Sequence, residues 1–329
     1  MLRLPRFRAQ SPETIEEVVA ALAQPGARLV AGGTDILPNL KHRLDAPPVL
    51  VSLRRVSALR SLERDDAAGV LRIGAGVTLT ELASDAPVRE LFPSLAQAAG
   101  IVASPLIRNM GTIGGNVNLD TRCRYVNQTQ FWRSAIGGCL KSEGDVCHVV
   151  PGGRNCVAAM SSDCVPVLIS LDARIVLAGP GGQRELPIGD YFHADGTRHT
   201  KREDGEVTTA LLVPLPTGPR RTHYAKWTVR KSIDFPLVSV ALRIDLAAER
   251  PDAAIEDVKV VVGVLGAKPR EVTRLTEVLG RPLSDPEVPD LVADRVHKQC
   301  KPLENVPYEA AYRRQMIRVH TRRAIRAMQ

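Results

Sequence analysis

Four cysteines in a short glycine-rich stretch are the residues of this chain best suited to chemistry. Cys123, Cys139, Cys147 and Cys156 are separated by fifteen, seven and eight residues, and a fifth, Cys164, follows after seven more. Clustered cysteines indicate a metal site rather than disulfides in a protein that stays in a reducing compartment. The stretch therefore predicts metal binding.

The spacing of the cysteines does not decide the metal. It lacks the C-x2–4-C pair of structural zinc sites and the C-x2-C-x2-C-x3-C run of bacterial ferredoxins. Ligands from four separate loops suit a [4Fe–4S] cluster, and nearby glycines suit loops that wrap around one. The residues alone leave three interpretations open: an iron–sulfur cluster, a zinc site, or buried thiols without metal.

The two remaining cysteines and a neighbouring histidine are not needed for the metal site. Cys164 begins the apolar run CVPVLISL and is expected in the core, and Cys300 is expected to be structural. His148 is a possible substitute ligand, but four thiolates suffice without it.

Two glycine turns predict a phosphate or flavin site. In ARLVAGGTDIL a short apolar strand runs through Gly32 and Gly33 into a helix. Without side chains there, the amides of Gly33, Thr34 and Asp35 can point at an anion. The second turn, GTIGGNV, begins at Gly111. Neither turn is a G-x-G-x-x-G fingerprint or a P-loop, which disfavours the usual dinucleotide and nucleotide-hydrolase sites.

The elements that position these residues follow from patterning. The 329 residues, 44% of them hydrophobic, are enough for two or three domains. Helices are predicted at 11–24, with Ser11 as N-cap and Pro12 in the first turn, and at 270–280, 286–300 and 307–328. The arginines of the last helix are expected to face solvent or a partner: Arg313, Arg314, Arg318, Arg322, Arg323 and Arg326.

Composition limits the function classes. No apolar run is long enough for a membrane span, and the first residues lack the apolar centre of a secretory signal, so a cytoplasmic location is expected. The net charge of +8 favours an anionic partner or ligand. Nucleic acid is disfavoured because aromatics are only 4% and no basic run carries stacking residues. No catalytic residue is nominated, and His193 and His199 are expected to be ordinary surface histidines.

Four segments carry a resemblance to a known family. They are AGGTDIL at 31–37, IRNMGTIGGNV at 107–117, VRKSIDFPLVSVAL at 229–242 and YRRQMIRVHTRRAI at 312–325. Together they resemble the flavin-binding subunit of the xanthine oxidase family of molybdenum hydroxylases, over nearly the whole chain. The resemblance implies an α+β fold. Residues 1–216 would form a FAD-binding domain of two α/β subdomains, of the vanillyl-alcohol-oxidase/xanthine-oxidase type. Residues 217–329 would form a C-terminal domain with an antiparallel sheet and a helix bundle.

The resemblance also implies the FAD contacts. The first turn would hold the diphosphate, the second would lie along diphosphate and ring, and softer correspondences add ring contacts. The set is Val30, Ala31, Gly32, Gly33, Thr34, Asp35, Ile36, Val102, Gly111, Thr112, Gly114, Gly115, Asn116, Ser162, Asp163, Val207 and Lys226. Thr197 stands where many relatives have a tyrosine, which puts an aromatic cover for the flavin in doubt.

Residues 121–160 depart from the general family pattern, because they are extra relative to most members. The insertion resembles one in the flavin subunits of 4-hydroxybenzoyl-CoA reductases, which carry an additional [4Fe–4S] cluster. That likeness implies Cys123, Cys139, Cys147 and Cys156 as cluster ligands and leaves out Cys164.

The function implied is that of an electron-transfer subunit. Electrons would pass from ferredoxin through the [4Fe–4S] cluster and FAD to [2Fe–2S] and molybdenum centres on partner subunits, in a dimer of heterotrimers. The enzyme would reductively dehydroxylate 4-hydroxybenzoyl-CoA to benzoyl-CoA, which this chain alone could not do. One alternative is the flavin subunit of a related hydroxylase or dehydrogenase that passes electrons to NAD or quinone. Another is a zinc-stabilised structural or regulatory subunit.

Overall fold

The computed structural model describes residues 2–250 and 252–329. The helices of this part are α1 Ile15–Leu22, α2 Ile36–Lys41, α3 Leu79–Ser84, α4 Ala86–Leu91, α5 Pro93–Gly100, α6 Pro105–Arg108, α7 Ile113–Val117, α8 Gln130–Ala135, α9 Cys164–Ser170, α10 Val288–Gln299 and α11 Ala310–Arg326. The strands are β1 Arg8–Gln10, β2 Arg28–Val30, β3 Val49–Ser52, β4 Leu62–Asp65, β5 Val70–Gly74, β6 Arg174–Gly179, β7 Gly182–Pro187, β8 Val207–Pro214, β9 Arg220–Trp227, β10 Val238–Leu246, β11 Ile255–Gly263 and β12 Arg270–Glu271.

A small parallel sheet, in the order β1-β3-β2, begins the fold. Its central strand β3 has the apolar run Val49, Leu50 and Val51, all buried as expected for a strand with neighbours on both sides. Helix α1 packs Val18 against this sheet. β2 leads directly into the first glycine turn, residues 30–36, so the sheet fixes where that turn begins.

The start of α1 corrects the sequence prediction. Thr14, not Ser11, is the N-cap, and its side chain accepts a hydrogen bond of 3.2 Å from the Glu17 amide. The Glu17 carboxylate in turn accepts one of 2.8 Å from the Glu13 amide. The first bond satisfies a first-turn amide of α1, and the second satisfies an amide just before the helix.

The second sheet has five strands in the order β4-β5-β8-β6-β7, with antiparallel pairing throughout. Helices α3, α5 and α9 share the largest apolar core with this sheet, and α5 and α9 also pack against β9, β10 and β11. The run CVPVLIS forms α9 and is buried at all seven positions. Helix α3 begins with a complete capping box between Thr78 and Glu81.

The third sheet, β12-β11-β10-β9, is antiparallel. Helices α10 and α11 pack against each other and enclose a second apolar core with β10 and β11. The α+β architecture predicted from the sequence is therefore confirmed. The predicted helix at 270–280 is wrong: β12 pairs Glu271 with Val261, and Arg274 has φ +60°, which interrupts a helix.

Arg313 corrects the prediction that the arginines of the last helix face solvent or a partner. It is fully buried, and its guanidinium donates to the carbonyl oxygens of Leu237 (2.9 Å), Leu303 (2.6 Å) and Val264. Burial lowers the pKa of Arg313 to about 10, so the side chain stays charged at neutral pH. It fixes α11 to the ends of β10 and β11. Across residues 2–250 and 252–329, no helix has the length and apolarity needed to cross a membrane.

Candidate functional site

The two glycine turns predicted from the sequence touch each other. A Cβ atom on Gly32 would lie 1.9 Å from the carbonyl oxygen of Met110 and 3.0 Å from the amide nitrogen of Gly111. A Cβ on Gly111 would lie 3.5 Å from the Thr34 hydroxyl. The backbones approach this closely only because position 32 has no side chain. Residues some eighty positions apart thus form one site.

The first glycine turn offers backbone donors. Gly33 has φ +73°, and its carbonyl accepts a bond of 3.2 Å from the Leu37 amide at the start of α2. Among the hydrogen bonds of the described residues, none uses the amides of Gly32, Gly33, Thr34 or Asp35. Amides left without a partner beside a helix start suit an anion such as a diphosphate.

The second glycine turn, residues 111–116, is bound into the scaffold. The amides of Ile113 and Gly114 donate to the carbonyls of Val77 and Ala75, each at 2.9 Å. Thr112 caps α7 by accepting a bond of 3.1 Å from the Gly115 amide. Most amides of this turn are therefore already paired. It supplies a close backbone surface rather than a set of donors.

Asn116 connects the second turn to the segment before α9. Its side-chain oxygen accepts hydrogen bonds from the Ser162 hydroxyl (2.6 Å) and the Cys164 amide (3.3 Å). The Ser162 hydroxyl also accepts a bond of 3.1 Å from the Val165 amide, at the start of α9. Ser162 and Asn116, both predicted at the flavin, therefore lie together.

Asp163 and Lys226, also predicted near the flavin ring, form a buried ion pair of 3.1 Å. Tyr224 donates a hydrogen bond of 2.7 Å to the same carboxylate. Burial raises the pKa of Asp163, while Lys226 and the Tyr224 hydroxyl oppose that rise. Sequence reasoning missed Tyr224, although it stands two positions before Lys226 on the same face of β9.

The softer flavin predictions, Val102 and Val207, fall in different places. Val102 is half-buried, packs on the largest core and directly follows Ile101, whose carbonyl accepts a hydrogen bond of 3.3 Å from Lys226. Val207 is buried in the cluster beneath the small parallel sheet, together with Val18 and Val51. Thr197 is exposed and its hydroxyl donates to Asp195 at 2.8 Å. The contacts of Val102 and Val207 with FAD stay predictions.

The four cysteines of residues 121–160 converge on one cavity, called here the cysteine cavity. Cys123, Cys139, Cys147 and Cys156 all line it and are each 7–9% exposed. The other lining residues are Tyr125, Val126, Leu140, Lys141, His148, Val149, Val157 and Ala158. Within residues 2–250 and 252–329, no three His, Cys, Asp or Glu side chains form a group able to hold a metal ion.

Burial raises the pKa of the Cys123 and Cys156 thiols and so disfavours their thiolate forms. Burial raises the pKa of Cys123 to about 11, and the nearby Cys156 and Cys139 add to that rise. Cys164 lies elsewhere, as the first residue of α9 in the largest core, and Cys300 is buried in the C-terminal core. The His148 ring packs 5.1 Å from the Tyr125 ring, and its Nε2 lies 2.6 Å from the Gly138 carbonyl.

Backbone contacts close the cysteine segment, residues 121–160, at its ends. Arg122 and Ala159 exchange hydrogen bonds of 2.8 and 2.7 Å. Gly196 from a later loop packs against Cys156, because a Cβ on Gly196 would lie 2.8 Å from the Cys156 Sγ. The Gly196 amide also donates to the Cys156 carbonyl at 2.8 Å. The segment is therefore held at its base and at its last cysteine.

Arg133 joins the cysteine segment to the end of α2. This side chain is fully buried. It donates to the carbonyls of His42 (3.0 Å), Arg43 (3.1 Å) and Gln128 (2.7 Å), and to the Ser142 hydroxyl (2.8 Å). Since α2 begins at the first glycine turn, the hydrogen bonds of Arg133 couple the cysteine cavity to that turn. Neither Arg133 nor its partners stood out in the sequence, because the partners are mostly backbone carbonyls.

His199 corrects the prediction of a surface histidine. Its side chain is only 13% exposed and lies 3.9 Å from the Asp120 carboxylate. Burial lowers the pKa of His199 to about 4, despite the opposing effect of Asp120. His193 is exposed, as expected.

Comparison with known proteins identifies the family. Residues 5–216 match the FAD binding domain in molybdopterin dehydrogenase, and residues 223–328 match the CO dehydrogenase flavoprotein C-terminal domain. The chain belongs to the FAD-binding subunits of the molybdenum hydroxylase family. The two glycine turns therefore lie within the FAD-binding domain of such a subunit.

Individual members of the family are similar over much or all of this subunit. The aldehyde oxidoreductase FAD-binding subunit PaoB of Escherichia coli K12 is 36% identical over 235 residues, 69% of this chain and 73% of that protein. The carbon monoxide dehydrogenase medium chain of Hydrogenophaga pseudoflava is 28% identical over 98% of this chain and 97% of its own length. A solved carbon monoxide dehydrogenase of the same organism, lacking the Mo-pyranopterin moiety, superimposes with a TM-score of 0.78 at 25% identity, covering 99% of this chain and 98% of the other.

Proposed function

We propose that this FAD-binding subunit also holds a [4Fe–4S] cluster, and that it is the electron-transfer subunit of a molybdenum-dependent 4-hydroxybenzoyl-CoA reductase. The observation that carries the proposal is the convergence of Cys123, Cys139, Cys147 and Cys156 on one buried cavity. These residues are the only cysteines of the 121–160 insertion, and the other two cysteines of the chain lie in apolar cores.

The number and type of side chains around the cavity support the proposal of a cluster. A tetrahedral zinc ion has Zn–S bonds of about 2.3 Å and so draws its ligands into one tight group. The described residues contain no such group, although four thiols share the cavity. A [4Fe–4S] cube binds one thiolate at each of four separate corners, which spreads its ligands. Four thiols around one cavity are the ligand number and type that such a cluster takes, which supports the proposal.

The chain's own residues would have distinct roles. The amides of the first glycine turn would bind the FAD diphosphate, and the second turn would provide a close surface for the cofactor. Asp163, held by Tyr224 and Lys226, would present a fixed polar group towards the ring. When bound, FAD and the cluster supply the electron-accepting and electron-donating chemistry that side chains lack.

The proposal also includes the domain division and the partners. No sheet of the described residues joins strands from both sides of residue 216, which supports domains at 1–216 and 217–329. The molybdenum cofactor and [2Fe–2S] clusters would lie on partner subunits of a heterooligomer, and a reduced ferredoxin would be the donor. The positive net charge of the chain suits an acidic donor protein.

A second candidate is the flavin subunit of an aldehyde-oxidising enzyme of the same family, with electrons leaving to another acceptor. The 36% identity to the aldehyde oxidoreductase subunit PaoB favours it. The two candidates share this chain's cofactor sites and differ in the substrate, which binds on a partner subunit. The holoenzyme distinguishes them: one reduces 4-hydroxybenzoyl-CoA with reduced ferredoxin, and the other oxidises aldehydes.

Metal and flavin analysis of the anaerobically purified complex tests the cofactor content. We expect about four irons per chain above those of the partner subunits, together with one FAD. Cys139→Ser should lose these irons and keep FAD, because Cys139 lies outside both glycine turns. Cys164→Ala, a buried cysteine of the main core, is the matched control and should keep the iron. Zinc in place of iron, or iron unaffected by Cys139→Ser, would contradict the proposal.

A further inference from the structure

Lys141 is a buried cation at the wall of the cysteine cavity. Its side chain is 10% exposed. The ammonium group lies 2.6 Å from an Asp120 carboxylate oxygen, 2.5 Å from the Thr121 hydroxyl and 2.6 Å from the Gly196 carbonyl oxygen. A protonated lysine has three N–H donors, and three acceptors surround this one. The site is therefore built for the charged form.

The positive charge lies close to Cys156. Gly196, whose carbonyl accepts from Lys141, packs so tightly on Cys156 that an added Cβ would lie 2.8 Å from the sulfur. Lys141 is also two positions from Cys139 in the chain. A charge at this short range acts through the protein interior, where it is screened less than a surface charge.

Two carboxylates lie near this charge, but neither lines the cavity: Asp120 pairs with Lys141, and Asp195 accepts a hydrogen bond of 3.2 Å from the Cys156 amide. The Asp120 side chain is 40% exposed, so water screens its negative charge more than that of Lys141. The other cations of the segment are placed differently. Arg124 and Arg154 are exposed, Arg122 pairs with Asp35, and Arg133 donates to the carbonyls of the α2 end. Lys141 is therefore the buried cation of the described residues that faces the four thiols.

We infer that Lys141 sets the reduction potential of the centre held by the four cysteines, by stabilising the form that carries one more electron. The inference rests on the proposed function, since it needs a redox centre in the cavity. Lys141 lies at the wall of the cysteine cavity and in neither glycine turn, and so acts as a tuning residue.

A redox titration of the complex, followed by the electron paramagnetic resonance of the reduced cluster, tests the inference. In Lys141→Gln the midpoint should fall, because the reduced form loses a nearby positive charge. We expect the reduced-to-oxidised ratio at a fixed potential to drop about tenfold, a shift of about 59 mV for one electron. Lys141→Arg, which keeps the charge, should restore most of the midpoint.

Two further variants complete the test. Asp120→Asn removes the counter-ion and should raise the midpoint, and Arg154→Gln, an exposed cation of the same segment, should leave it unchanged. A Lys141→Gln complex with full iron and the wild-type midpoint would overturn the inference. If Lys141→Gln instead loses iron, the Asp120→Asn variant provides the test. A midpoint that does not rise in Asp120→Asn would then overturn the inference. Wild-type complex without the extra iron would instead contradict the proposed function itself.

Discussion

The Asp35 carboxylate forms an ion pair with the guanidinium of Arg122, the residue immediately before the first cysteine of the cavity. Asp35 ends the donor run of the first glycine turn, and its side chain and that of Arg122 are 23% and 21% exposed. Burial raises the pKa of Asp35, and the Arg122 charge opposes that rise. Arg122 also lies over the Phe235 ring, 4.0 Å from its centroid. The Asp35–Arg122 pair thus connects the first glycine turn, the cysteine segment and the C-terminal half of the chain.

This ion pair predicts that mutations of its two residues have non-additive effects on stability. Asp35→Asn and Arg122→Gln should each destabilise the chain, since each leaves a half-buried charge without its partner. The double variant should lose about 1–2 kcal/mol less than the sum of the two single losses. Denaturant unfolding of the four chains measures this coupling, and FAD titration shows whether it extends to the cofactor. Strict additivity in both measurements would show that the pair is incidental.

The Gly32→Ala substitution tests the close approach of the two glycine turns. The new methyl group would lie 1.9 Å from the Met110 carbonyl oxygen, a backbone atom that cannot turn away as a side chain can. We expect a loss of about 1–3 kcal/mol in the free energy of unfolding, typical of overpacking, together with weaker FAD binding. Thermal unfolding and fluorescence titration with FAD measure the two effects.

Gly181→Ala is the matched control for that change. A Cβ at this position meets nothing within 4 Å, and the backbone does not have a positive φ there. Its stability should stay within about 0.5 kcal/mol of the wild type, as for a surface substitution. Equal losses at positions 32 and 181 would contradict the close approach of the turns.

The sequence predicted what depends on local pattern. Glycines placed between a strand and a helix predicted the first turn. The sequence predicted less well where two local signals compete. At the start of α1, Ser11-Pro12 is a plausible start, but Thr14 is the N-cap, because its side chain accepts a hydrogen bond from the Glu17 amide.

The sequence could not predict contacts between distant positions that leave no periodic trace. Arg313 looks like its surface neighbours in the chain, yet carbonyls from three separate segments accept its hydrogen bonds. Lys141 and His199 likewise become buried only because the cysteine segment and the loop at 191–200 fold over Asp120. Such side chains are identified by their partners, and the partners are set by the tertiary fold.

The burial of His199 predicts a pH dependence of stability. Its pKa falls from the ordinary value near 6.5 to about 4 because burial penalises the charged ring. Between these two values the unfolded chain binds the proton and the folded chain does not, so stability falls as pH drops through this window. Above pH 6.5 neither state binds this proton and stability is not reduced. The loss of stability grows as the pH falls from 6.5 towards 4. A shift of this size corresponds to at most about 3 kcal/mol.

His199→Gln isolates this effect, because glutamine does not titrate. The free energy of unfolding, measured with denaturant at pH 7 and pH 4.5, should fall less in this variant than in the wild type. His193→Gln removes an exposed histidine from the same loop and should preserve the wild-type dependence. The reason lies in solvation: His193 is exposed, whereas burial and the nearby positive charge of Lys141 penalise the charged form of His199. If the two variants lose stability equally on acidification, the burial of His199 does not govern its titration.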